Sequence, residues 1–236
     1  MNKKIIVALD SNNINKTKYL ASKLKNEVFA FKIGYEFFLN FGLNGYNDIK
    51  NICSKIFLDL KLHDIPNTVE NGIKAIEKLG PILTTIHISG GDEMQKFSVF
   101  NKKRKVKILG VSILTSLNSI QTKKYYNEAN IEKLVKNFVK FAQKNKLDGI
   151  VCSPLEIKMV RKIVGKKLLI VTPGIRPEDY IKKNDDQKRF ITPKEAINYG
   201  ADLLVIGRPI TDSKDPLKII KQINNRSLLI IKQLNN

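Results

Sequence analysis

Short apolar runs rich in β-branched residues alternate along the whole chain with longer stretches in which apolar residues recur every three to four positions. The first pattern predicts buried strands and the second amphipathic helices, so the order reads as repeated βα units around a parallel sheet. Eight runs fit strands: Ile5–Leu9, Val28–Ile33, Ile56–Leu60, Ile82–Ile88, Val106–Leu114, Gly149–Cys152, Leu168–Val171 and Leu203–Ile206. Helical spacing covers, among other segments, Asn15–Lys25, Asn67–Leu79, Ile131–Lys144, Pro154–Val164, Pro193–Tyr199 and Pro216–Gln233. Eight units in 236 residues predict a closed (β/α)8 barrel, the TIM barrel. The alternative, an open doubly wound sheet, calls for a glycine-rich loop after its first strand, where this chain has Asp10-Ser11-Asn12-Asn13. No linker, low-complexity tract or shift in composition interrupts the pattern, and residues 1–236 read as one domain.

Composition narrows the class. With 42% apolar residues the chain can build a core, and no apolar run approaches the ~18 residues that span a bilayer, so no membrane partner is expected. Asn2-Lys3-Lys4 before Ile5–Leu9 has the outline of a signal peptide, but Asp10 ends the apolar stretch short of the ~7–15 residues of such a segment. Cys53 and Cys152 have neither CxxC spacing nor a histidine cluster nearby, which predicts no disulfide and no metal site and fits a reducing, cytoplasmic setting. The formal charge of +20, from 42 Lys+Arg against 22 Asp+Glu, raises the question of nucleic acid. Lysine supplies nearly all of it and is spread over the chain, whereas arginine, the better phosphate and base reader, is scarce. Solvated faces explain that distribution, and no nucleic-acid partner is expected. The densest cluster, Lys102, Lys103, Arg104, Lys105 and Lys107, falls where a helix hands over to a strand and reads as an exposed turn.

In such a barrel, chemistry collects at the C-terminal strand ends. These carry Asp10, Lys32, Asp59, Lys61, His87, Thr115, Ser153, Arg176 and Arg208. Asp59 and Lys61 are two apart and face the same side of a strand, and Asp64 follows in the loop. With Lys32 from the neighbouring strand they form an alternating set of lysines and carboxylates, which hold one another ionised near neutral pH. A protonated lysine fixed between carboxylates is a proton donor. Taken alone, the same set is also what a structural ion-pair network at a strand end would look like. His63 and His87 read as packing or hydrogen-bonding residues, and Cys152, with no base beside it, as buried filler.

The run Phe57 to Thr68, FLDLKLHDIPNT, resembles the active-site signature of the orotidine 5′-phosphate decarboxylase family, D-x-K-x-x-D-I-P-N-T. The resemblance covers essentially the whole chain. Val7-Ala8-Leu9-Asp10 is similar to the family's first strand with its ribose-binding aspartate, and Phe31-Lys32-Ile33-Gly34 to its second strand with an active-site lysine. Leu114-Thr115-Ser116 resembles the pyrimidine-contacting segment, Pro173 to Pro177 the start of the phosphate loop, and Ile206-Gly207-Arg208-Pro209-Ile210 the phosphate-binding end of strand eight.

The resemblance implies decarboxylation of orotidine 5′-monophosphate to uridine 5′-monophosphate, the last step of UMP synthesis, with neither metal nor organic cofactor. It implies Lys61, Asp59, Asp64 and Lys32 as the catalytic set. Asp10, Lys32, Ile65, Thr68, Thr115, Arg176, Gln187, Gly207 and Arg208 are implied to bind substrate, the phosphate lying near Gly207 and Arg208 if a short helix begins there. It also implies a homodimer in which Asp64, Ile65 and Thr68 reach into the partner's site. The chain departs from the bacterial pattern after Arg176, where Glu178 to Gln187 stands in place of a small-residue stretch that ends in glutamine and is bulkier and about two residues longer. Two rivals share the barrel reading. A metal-dependent sugar-phosphate decarboxylase or aldolase would need further carboxylates at strands two or three, where Glu36 lies past Gly34 in the next helix. A barrel that has lost catalysis and binds RNA would not need Lys32, Asp59, Lys61 and Asp64 together.

Overall fold

The computed structural model describes residues 3–101, 103–177, 180 and 190–234. Eight strands, β1 (Ile5–Ala8), β2 (Ala30–Ile33), β3 (Ile56–Leu62), β4 (Leu83–His87), β5 (Lys107–Val111), β6 (Gly149–Val151), β7 (Leu169–Thr172) and β8 (Leu203–Ile206), close into a parallel barrel in sequence order. The seam is the pairing of β1 with β8, with Ile5 opposite Leu204 and Val7 opposite Ile206. Around them run α1 (Ile14–Leu24), α2 (Tyr35–Ile52), α3 (Pro66–Leu79), α4 (Gly91–Ser98), α5 (Ser119–Tyr126), α6 (Ile131–Lys144), α7 (Ile157–Val164), α8 (Pro193–Asn198), α9 (Arg208–Thr211) and α10 (Pro216–Leu234). None of the described helices is long and apolar enough to cross a membrane.

Local chemistry sets the helix ends. The Asn13 side chain accepts from the Lys16 amide and starts α1, Asn130 does the same for α6, and Pro66 opens α3 where no donor is needed. Gly80 closes α3 at φ +67, a conformation that a Cβ would strain. The apolar stripes predicted for α3 and α6 are buried, through Val69, Ile73 and Ile76 in one and Leu134, Val135, Phe138, Val139 and Ala142 in the other.

Two apolar layers follow from the two-residue period of a strand. Ile5, Val7, Phe31, Ile33, Ile56 and Leu58 point outward under the helices, while Ile6, Ala8, Ala30, Phe57, Leu83, Leu109, Val171, Leu203 and Val205 fill the barrel. This alternation positions the site. Two residues beyond Ala8, Ala30, Phe57 and Leu83 the inward columns reach Asp10, Lys32, Asp59 and Thr85, so four polar groups cap one apolar plug.

Strand bounds differ from the sequence expectation at particular places. β5 ends at Val111, Ser112 still donates its amide to the Val151 carbonyl at 3.1 Å before the chain bends away at Ile113, and β3 continues to Leu62. In the basic cluster, Arg104 is not a solvated charge: its guanidinium lies 2.7 Å from Asp148 Oδ2, which also accepts from the Ile108 amide at 2.7 Å and so ties the turn to β5. Lys102 lies outside the described residues. Cys152 is buried, and burial, with Glu156 adding to it, pushes its thiol well above the ordinary value, which fits its reading as filler.

Candidate active site

The centre of the barrel mouth is built on an irregularity in β3. Leu58 is level with Thr84 and Leu62 with Ile86, so β3 advances four residues while β4 advances two. The slack is taken up around Lys61, whose φ of +42 is rare for a residue with a Cβ. Thr85 pins the distortion from β4. Its Oγ1 accepts from the Lys61 amide at 2.9 Å and donates to Asp59 Oδ1 at 2.8 Å. A regular strand would carry Lys61 further along the wall; the bulge folds its ammonium back onto Asp59.

The resulting charges form a chain. Lys61 Nζ lies 2.8 Å from Asp59 Oδ2, and Lys32 Nζ approaches the same oxygen at 3.7 Å. Lys32 donates to both oxygens of Asp10, at 3.1 and 3.0 Å. Asp59 and Lys32 are buried, whereas Asp10 and Lys61 look toward the mouth. Burial alone would raise the Asp59 carboxyl, but Lys32, Lys61 and the hydrogen bonds from Lys61 and Thr85 outweigh it and hold its pKa below the usual carboxylate value. The site therefore presents an ionised carboxylate at neutral pH with a cation on either side.

Gly34 makes room for this chain. A Cβ there would sit 2.7 Å from Asp10 Oδ1 and 2.8 Å from Lys32 Nζ, so a side chain cannot coexist with the pair as placed. Tyr35 follows at the start of α2. Its hydroxyl donates to the Leu60 carbonyl at 2.6 Å and its ring lies 5.8 Å from Lys61 Nζ, which orients the ammonium over an aromatic face. Burial and the Asp59 charge raise the Tyr35 pKa, keeping the phenol neutral. His63 and His87 stack with ring centroids 5.2 Å apart. Burial, then His63 and Lys61, depress His87, so it faces the site as a neutral imidazole.

Beside Asp10 and Lys32 opens a pocket of about 380 Å³ lined also by Glu36, Arg176, Gly207 and Arg208. Arg208 begins the short helix α9 directly after Gly207, as expected for the end of strand eight. Arg176 is buried, its amide donating to the Ile191 carbonyl and its guanidinium 5.7 Å from the Tyr180 ring. Glu36 reaches this pocket from the first turn of α2, nearer the site than its place past Gly34 suggests.

The sequence-derived residues thus divide. Asp10, Lys32, Asp59 and Lys61 are joined by contacts of 2.8–3.7 Å, and Arg176, Gly207 and Arg208 share a pocket with the first two. Asp64, Ile65 and Thr68 face solvent at the β3–α3 junction. Asp64 Oδ1 accepts from the Ile65 amide at 2.7 Å, and Asp64 makes no ion pair with a described residue. Thr115 sits half-buried in a turn four residues past the end of β5, away from the 380 Å³ pocket. Gln187 lies outside the described residues. Sequence reasoning missed Thr85 and Tyr35. The first was discoverable, since it lies two residues before His87 on the inward column of β4; the second carries no signal before the fold is known.

Known proteins are similar to this chain over most of its length. The description of the orotidine 5′-phosphate decarboxylase / HUMPS family matches residues 3–223. An orotidine 5′-phosphate decarboxylase of Wolbachia sp. subsp. Brugia malayi is 42% identical over 232 residues, covering 98% of this chain and 99% of that one. One from Wolbachia pipientis subsp. Culex pipiens is 43% identical over 213 residues, covering 90% and 93%. The crystal structure of orotidine 5′-phosphate decarboxylase from Lactobacillus acidophilus superposes with a TM-score of 0.80 at 36% identity, covering 95% of this chain and 99% of that chain. A match spanning nearly the whole barrel, over a mouth that joins two lysines and two aspartates, places this chain in the orotidine 5′-phosphate decarboxylase / HUMPS family.

Proposed function

We propose that this protein decarboxylates orotidine 5′-monophosphate to uridine 5′-monophosphate and CO₂ in the cytosol, as the last step of UMP synthesis, using side chains alone. The observation that carries the reading is the Asp10–Lys32–Asp59–Lys61 chain opening onto an arginine-lined pocket. Breaking the bond between C6 and the carboxylate leaves its electron pair on C6 as a vinyl carbanion that no ring carbonyl readily delocalises. Stabilisation must then come from a fixed charge, and the Lys61 ammonium, held by Asp59 and Tyr35, supplies it. Lys61 then passes its proton to C6, and the amine regains one from solvent. The Asp59 carboxylate disfavours the bound substrate carboxylate by like charge and holds Lys61 in place. Asp10 and Lys32 take the ribose hydroxyls, Thr115 the pyrimidine, and Arg208, Gly207, Arg176 and Gln187 the phosphate.

The rival reading, metal-dependent sugar-phosphate chemistry at an enediolate, requires carboxylate oxygens free to coordinate a cation. Here Asp59 Oδ2 is shared by Lys61 and Lys32 and Oδ1 is taken by Thr85, which favours the nucleotide reading. The deciding experiment measures CO₂ and uridine 5′-monophosphate formed from orotidine 5′-monophosphate with a chelator present. Equimolar products are expected; no CO₂ with chelator but turnover of a sugar phosphate with added Mg²⁺ would give the site to the other branch.

Two variants test the binding geometry. Arg208→Ala removes a planar cation from the phosphate pocket and is expected to lower kcat/KM for the nucleotide by about 10- to 100-fold, the value of one or two charged hydrogen bonds. The slow reaction of the phosphate-free nucleoside should be untouched, and an equal loss on both substrates would remove Arg208 from that role. Gly34→Ala meets only the flexible ends of Asp10 and Lys32, so the fold should survive. Displacing that pair by about 1 Å is expected to cost on the order of 10²-fold in turnover. A Gly34→Ala protein with wild-type kcat would show that the pair does not position substrate.

A further inference from the structure

We propose that the opposite, N-terminal mouth of the barrel binds a small anion carrying two or more phosphate groups, independently of the catalytic face. The inward columns that end above in Asp10 and Asp59 have lower ends too. Two residues before Ile6, Phe57, Leu109 and Val171 come Lys4 and Lys55, which immediately precede β1 and β3 with carbonyls still accepting from the Leu204 and Phe31 amides, and Lys107 and Leu169, which open β5 and β7. Three lysines at the starts of alternate strands therefore share the barrel's lower mouth beneath an apolar plug. They line a cavity of about 530 Å³, to which Lys3 and Lys105 add further cationic groups. An adjoining cleft of about 450 Å³ shares Lys3, Phe29 and Lys55 and adds Lys25.

Abundant lysine in the sequence explains charges on solvated outer faces, but it does not put three of them on inward columns of one layer. None of the five lysines of the larger cavity makes an ion pair with a described residue. Asp202, the acidic residue among those lining it, is already taken by the Arg161 guanidinium and by the Ile170 amide at 2.8 Å. Lys3 donates to the Asn26 carbonyl, and Lys55 lies 5.5 Å from the centre of the Phe29 ring. Burial lowers the Lys4 pKa, with Asp202 opposing and Arg161 adding to the effect. The volume falls in the range of small-ligand sites, and a chain of phosphates lying in it would meet an ammonium from the start of each of β1, β3 and β5. The pattern suits a compact polyanion better than a long nucleic acid, because the cations ring a concave axis and do not form a stripe.

Calorimetric titration of the whole protein with inorganic tripolyphosphate and, separately, with adenosine 5′-triphosphate, whose base differs from that of the proposed product, tests this. About one equivalent per chain should bind, the affinity should fall as salt is raised, and Arg208→Ala should leave it unchanged. The Lys55→Gln/Lys107→Gln variant should bind about tenfold more weakly, and Lys55→Arg/Lys107→Arg should restore binding. Both lysines are exposed, so the variants should keep the wild-type circular dichroism spectrum and a Tm no lower than wild type. Equal binding of the two probes would show that the phosphate chain alone is read, and tighter binding of the nucleotide that the apolar wall also takes a base; both support the site. Absence of binding by either probe, or binding lost in Arg208→Ala and kept in Lys55→Gln/Lys107→Gln, would overturn it. Capture of an RNA oligonucleotide through these lysines while neither small probe binds would overturn it as well.

Discussion

Lys61→Ala is expected to remove nearly all turnover while leaving a folded barrel that still binds the product nucleotide. In the proposed reaction the ammonium both faces the carbanion and delivers the proton, so its loss acts on the transition state more than on the ground state. Positioned acid catalysis alone contributes ~10²–10⁴-fold, and loss of the cation adds to that. The fold should tolerate the change because Asp59 keeps Lys32 at 3.7 Å and the Thr85 hydrogen bond at 2.8 Å, so its buried charge is not left bare. Backbone strain gives a second readout. At φ +42 an alanine is nearly as uncomfortable as lysine, whereas glycine is not, so Lys61→Gly should be about 1 kcal/mol more stable than Lys61→Ala and just as inactive. Single-turnover kinetics, product binding by calorimetry and thermal unfolding of both variants measure this. Retention of more than about a tenth of wild-type kcat in either would be incompatible with a proton donor at this position.

That strain marks the limit of what the sequence could reveal. Asp59 and Lys61 two residues apart are legible as a same-face pair on a strand, and the pairing is real, but a regular strand is not what makes it. The bulge between Leu58 and Leu62 depends on Thr85 in a neighbouring strand, and a one-dimensional pattern does not show such a contact between strands. The barrel itself was legible because each strand is a short run bounded by polar turns, and strict two-residue alternation then carries Asp10, Lys32 and Asp59 to the mouth. Helix α2 was harder to read. Gly42, at φ +55 and ψ −147, breaks its geometry midway, and Phe37, Phe38 and Phe41 crowd the apolar face on one side of that break, so no clean period survives. Arg104 shows the converse error, a residue in a basic run whose partner, Asp148, lies 44 positions away.

The sharpest test of assembly uses two inactive proteins. In the single chain the lysine of the signature turns inward to Asp59, while Asp64 and Thr68 face solvent and Ile65 is 66% exposed. On α2, whose first residue Tyr35 lies beside Lys61, Tyr35, Leu39 and Leu43 are also exposed, large apolar positions of the kind that a twofold partner covers. If Asp64 serves the partner's site, Lys61→Ala and Asp64→Ala proteins should each be nearly inactive. In a mixed dimer one site then collects both defects, and the other takes Lys61 from the Asp64→Ala chain and Asp64 from the Lys61→Ala chain. With random reassortment half the dimers are mixed and half of their sites are intact, so activity should recover to about a quarter of wild type. The measurement is decarboxylation after the two variants are unfolded and refolded together, against each refolded separately, with mixed dimers verified by native mass spectrometry. Mixed dimers without recovery would assign Asp64 to the site of its own chain, and a strictly monomeric mass would leave the exposed Ile65 surface without the twofold partner proposed for it.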